Sequence, residues 1–196
     1  MAAFEETIVR TFFEQHGFLV RRLDAENERR GAVPSAVFLI MNPALEEDVP
    51  FHSPLLFSGD LTRIRQSLVV VREWHHAGKI SSRTFQRSSD LYQFLERALL
   101  KKKEALFPQL PMDVPPGIRR LLVLPAHVTQ EPYKGKLVEQ LGELGVDGVF
   151  SFRSMFRDLA NMAMDRKKRS SDEVLDLVRL LAEYDLIKGE EQYLGF

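Results

Sequence analysis

Short runs of unbroken apolar residues constrain this chain more than any other feature. Ala36 to Met41 reads AVFLIM, Ser67 to Val71 reads SLVVV, and Leu121 to Ala126 reads LLVLPA. A strand with one wet face alternates apolar and polar residues; a run without alternation buries both faces. These runs are shorter than an ordinary helix and far too short to cross a membrane. They must therefore be interior strands of one sheet, with a layer packed on each side.

Amphipathic helices supply those layers. Phe4, Ile8, Val9, Phe12 and Phe13 recur at helical spacing before Gly17, which predicts a first helix stopped by a glycine. Phe18 to Leu23 follows as a strand, and the charged stretch Asp24 to Gly31 as a hairpin loop. Asn42-Pro43 ends the next strand. Residues 43–66 are irregular and carry Pro50, Pro54 and Gly59, with Phe51, Leu55, Leu56 and Phe57 to bury. A loop of this length, packed on the body, is often functional. Ser67 to Trp74 forms the second buried strand. Ser88, Ser89 and Asp90 offer N-caps for a helix running to about Phe107, with Leu91, Phe94, Leu95, Ala98 and Leu99 on its apolar face. Pro108 to Gly117 holds four prolines and is a connector. A strand at Ile118 to Leu124, a helix at Lys136 to Leu144 and a strand at Val146 to Phe152 have the length of a parallel crossover. Arg153 to Met164 is a helix, and Ser171 or Asp172 caps a last one bearing Leu175, Val178, Leu181 and Ala182. The expected fold is α/β: a mixed central sheet flanked by helices.

At 196 residues the chain suits one domain, with a core over about 4–163 and a C-terminal helical extension over about 165–196. Its 27 basic and 28 acidic side chains nearly cancel. It therefore has no general attraction to phosphate backbones or anionic membranes, and a nucleic acid would need a local basic patch. With no cysteine, disulfides and thiolate metal sites are excluded, which fits a cytoplasmic location. The first ten residues carry Glu5 and Glu6 and lack the basic-then-apolar pattern of a secretory leader. There is no nucleophile elbow, Walker loop or dinucleotide fingerprint.

Four stretches carry a resemblance: FEETIVRTFFEQHGFLVRR, AVFLIMNP, SLVVVREWHH, and IRRLLVLPAHV with the following GVDGVFSF and RSMFRDLANMA. Together they resemble the PD-(D/E)XK, or restriction-endonuclease-like, nuclease superfamily, with two extra C-terminal helices. The resemblance implies phosphodiester hydrolysis by Mg²⁺ held on an Asp and a Glu, with a Lys two residues beyond the Glu on the same strand face. This sequence departs from that pattern. The Asp position falls at about Val37, and either Val71 or Glu73 takes the Glu position, leaving Glu73 or His75 for the Lys. Val37, Val71 and Glu73 would then mark a vestigial site face.

Each candidate has a plainer structural reading. Glu73 could hold a metal, or pair with a base at a strand end. Glu5 and Glu6 could supply a helix acid, but the helix dipole favours acids in a first turn anyway. Asp60, after Gly59, could replace the missing strand Asp, although a turn or cap role suits it better. His52, His75, His76 and His127 show no ligand spacing. Lys101 to Lys103 and Arg166, Lys167, Lys168 and Arg169 could touch phosphates or simply be solvated. Trp74 reads as core. The leading expectation is a nuclease-like domain that no longer cuts and serves as a binding or assembly module, with no cofactor. The alternatives are an active Mg²⁺-dependent nuclease with a migrated site of Glu5, Asp60, Glu73 and His75, and an interaction module or homo-oligomer using the apolar loop at Phe51 to Phe57.

Overall fold

The computed structural model describes residues 3–23, 35–72, 74, 84, 87–100, 106–107, 117–165, 172–184 and 186. The elements follow in the order α1 (Ala3–Gln15), β1 (Leu19–Leu23), β2 (Ser35–Met41), a 3-10 helix (Ser58–Arg63), β3 (Gln66–Arg72), α2 (Ser88–Ala98), β4 (Arg119–Leu124), α3 (Tyr133–Glu143), β5 (Gly148–Ser151), α4 (Phe152–Met164) and α5 (Glu173–Glu183). The sheet runs β1-β2-β3-β4-β5 in sequence order. The first two pairings are antiparallel and the last two parallel, with α2 and α3 as the parallel crossovers. Among the described residues, no helix is long and apolar enough to cross a membrane.

Period-two alternation splits each apolar run between two layers. Ala36, Phe38, Ile40, Val69, Val71, Leu121, Val123 and Phe150 pack with α1, α4 and α5. Val37, Leu68, Val70, Leu122, Leu124 and Val149 pack with α2 and α3. The last helix is no appendage: Val174, Leu175 and Val178 are buried in the same layer as α1 and α4.

The caps follow from local sequence. Gly17 sits at φ +84°, its amide bonding Glu14 O while the Phe18 amide bonds Phe13 O, the double closure of a Schellman motif. Gly145 ends α3 the same way, with the Val146 amide on Leu141 O. Asp172 accepts the Val174 and Leu175 amides at 2.9 and 3.3 Å, as its position before α5 predicts. The start of α2 differs from the expectation. Arg87 occupies the N-cap position without a side-chain bond. Ser88 Oγ instead accepts the amides of Thr129 and Gln130, both at 3.3 Å, and so ties α2 to the chain leaving β4.

The stretch between β2 and β3 is anchored at both ends. At its base, Asp48 accepts the Arg65 amide at 2.7 Å, and the Arg119 guanidinium lies 4.4 Å from the Phe51 ring centroid. Farther along, Leu55 forms a parallel bridge with Val149, and backbone bonds run from Leu56 N to Val149 O and from Val149 N to Pro54 O. This seals the outer edge of β5. A Cβ on Gly148 would lie 2.5 Å from Leu56 Cδ1 and 3.1 Å from Leu121 Cδ2, so any larger residue there would displace the buried Leu56 side chain of the clasp. The expected apolar loop surface is corrected by this arrangement. Leu55 and Leu56 are buried and Phe51 is half-buried under Arg119, so only Phe57 of the four stays exposed.

Candidate site at the upper end of the sheet

Because β3, β4 and β5 are parallel, their carboxyl ends lie together, and the amino end of antiparallel β2 joins them. Crevices at such strand ends are the usual binding places of α/β sheets.

The β2–β3 part is filled by core. The register pairs Ala36 with Val71 and Val37 with Val70. Val37 therefore faces α2 and α3 while Val71 faces the opposite layer, and the grouping of Val37 with Val71 on one face is corrected. The expected Asp position at about Val37 follows from the strand's own sequence, whereas the face is set by the cross-strand pairing, and an offset of one residue changes it. Ala36 is the residue across from Val71, and the two are 3% and 2% exposed.

Glu5 reaches this place from α1. Both its carboxylate oxygens lie 3.2 Å from the Trp74 amide, just past the end of β3. Its role is thus more than a first-turn acid complementing the helix dipole. Glu6 lies 3.2 Å from Arg22 Nη1. Trp74 is core, as its sequence setting predicts: it is buried, and its indole N–H donates to Val123 O at 2.8 Å. Asp60 Oδ2 accepts the Phe57 amide at 2.9 Å and closes the 3-10 turn, the capping role its position suggests. His52 is hydrogen-bonded to Arg63. Among the described residues, no group of three His, Asp or Glu could hold a metal ion. Glu73, His75, His76, Lys101 to Lys103 and Arg166 to Arg169 lie outside the described residues.

The β4–β5 part is open. A cleft of about 310 Å³ lies there, with Arg153, Arg157, His127, Thr129 and Ser88 on its walls and Ala126 among its apolar lining. Compared with protein-family models, curated proteins and solved structures, the chain matches none. The cleft draws on the start of α2, the chain after β4 and the first turns of α4, segments far apart in sequence. The pair Arg153 and Arg157, four residues apart straight after an apolar strand, was its one legible signal.

His127 stands where the cleft meets the loop. Its Nε2 is 3.2 Å from Val149 O, and the Phe57 ring packs edge-on against it at 4.8 Å between centroids. Burial lowers its pKa, and the Val149 carbonyl offsets part of that effect. The unfolded chain therefore takes up this proton at a higher pH than the folded one. His127 adds no pH dependence above the unfolded value of about 6.5, and stability falls as the pH drops through that value toward the lower folded one. Urea titrations from pH 8 to 5 should show this acid loss in the wild type and a flatter profile in His127→Asn. Parallel profiles would contradict it.

Proposed function

We propose that this chain is a nuclease-like α/β module that binds or assembles rather than hydrolyses. One observation carries the reading. Val71, where one register of the resemblance would set a carboxylate, is buried with its cross-strand partner Ala36 in the apolar layer under α1, and Val37, at the expected Asp position, is buried in the opposite layer. Mg²⁺ requires several hard oxygen ligands, and neither alanine nor valine offers one. Support for the nuclease-like half comes from the order helix, three antiparallel strands, helix, parallel strand, which agrees with the arrangement the resemblance implies.

The test is incubation of the purified protein with labelled single- and double-stranded DNA and RNA in Mg²⁺ or Mn²⁺. The expected result is intact nucleic acid throughout. Robust cleavage that disappears in Glu73→Ala or Glu5→Ala would overturn the reading and establish a displaced metal site.

A further inference from the structure

The hydrogen bonds already made around the cleft decide what its side chains can still offer. Ser88 Oγ accepts the Thr129 and Gln130 amides, both at 3.3 Å. Those two bonds use the lone pairs of the hydroxyl, so toward a ligand Ser88 is a donor only. His127 is the converse. Its Nε2 faces Val149 O at 3.2 Å, and a carbonyl only accepts, so the neutral ring carries its proton on Nε2 and leaves Nδ1 as an acceptor. Burial favours that neutral form. Phe57 packs edge-on against the ring and helps hold its orientation.

Charge enters the cleft from the start of α4. Arg153 is exposed, lines the cleft, and has no described residue accepting from its guanidinium. Arg157 lines it too but is already engaged within the protein, so Arg153 is the anchor for an anion. Among the described residues lining the cleft there is no carboxylate. The backbone adds nothing for an anion, because the Arg153 amide is held by Pro125 O and the Ser154 amide by Ser151 Oγ, each at 3.2 Å. One guanidinium fork is matched by the two oxygens of one carboxylate. A phosphomonoester brings about two charges and three acceptor oxygens, and one fork leaves it under-bonded. The lining turns apolar at Leu91 and Ala126, which suits a short hydrocarbon body. A volume of about 310 Å³ is at the small end for ligand sites and suits one small molecule rather than a duplex or a peptide chain.

We propose that this cleft binds a small hydroxy-carboxylate. Arg153 and the Ser88 hydroxyl donate to the carboxylate, and the ligand's own hydroxyl donates to His127 Nδ1. The proposal does not rest on the nuclease-like reading, because Ala36, Val37 and Val71 line no part of the cleft.

The test is calorimetric and thermal-shift titration with lactate and mandelate, with propionate and phenylacetate, with the methyl esters of the two hydroxy acids, and with inorganic phosphate. At least one hydroxy acid should bind and raise the melting temperature. Its counterpart without the hydroxyl should bind more weakly, and the uncharged ester should not bind. Arg153→Gln should weaken the hydroxy acid by about tenfold or more, and Arg153→Lys by less, because it keeps the charge. Arg153 is exposed, so both variants should keep the wild-type melting temperature without ligand. The proposal is overturned if neither hydroxy acid gives a saturable signal at millimolar concentration, or if the affinity is unchanged in Arg153→Gln. Equal binding of the acid without the hydroxyl overturns the His127 contact, and equal binding of the ester overturns the carboxylate contact. Tighter binding of inorganic phosphate than of either hydroxy acid overturns the choice of a carboxylate.

Discussion

Phe150→Ala is expected to lower the unfolding free energy by about 3–5 kcal/mol. Phe150 is fully buried on β5, with its ring centroid 6.0 Å from Phe12 and 5.7 Å from Phe13, both in edge-on geometry. These contacts join the sheet to α1, so truncation loses the transfer free energy of the ring and leaves a cavity that helix and strand cannot both collapse into. For a chain of this length the melting temperature should fall by roughly 6–20 °C. Phe150→Leu, which keeps most of the volume, should cost about 1.5 kcal/mol or less. Urea unfolding checks both. A loss under 1 kcal/mol for the alanine variant would mean that the α1 layer does not depend on this cluster.

Val71→Glu should be comparably damaging, and its pH dependence distinguishes the cause. Val71 is 2% exposed between Val69 and the end of β3, under α1. A carboxylate introduced there has no water and no prepared partner, at a cost of roughly 3–5 kcal/mol near neutral pH. Burial raises the folded pKa of such a group above its unfolded value of about 4.3. The penalty should therefore shrink as the pH falls through the folded pKa, and be smallest near pH 4. Denaturant titrations at pH 4.5 and 7.5 measure the difference. A variant as stable as the wild type at neutral pH would show that solvent reaches this face, and would remove the main support for a site absorbed into the core.

How far the sequence reveals this architecture depends on how local the cause is. The apolar runs around Phe38, Val69 and Leu122 identify buried strands because nothing else satisfies their composition. Gly17 and Asp172 mark helix boundaries because their capping chemistry involves residues within five positions. Pairing is not local. Whether Ala36 or Val37 faces Val71 is decided by the strand opposite, and no property of AVFLIM contains that information. The Leu56–Gly148 contact and the tie from Ser88 to Thr129 also join distant segments, so a loop residue reads as surface until its partner is known. The cleft was hidden for the same reason. Its arginines were visible as helix residues, and the wall they form was not.

The clasp of residues 54–56 over β5 has a consequence for assembly. A sheet normally has two lateral borders with unpaired amides and carbonyls, and any chain with both borders open can in principle stack without end. Here the β5 border is already occupied by the protein's own backbone. Among the described residues, only β1 has no strand on its outer side, and it carries Arg21 and Arg22. Among the described residues, this leaves a single border for strand pairing. Two copies that join through it form a closed twofold pair, and the described strands then offer no further open border.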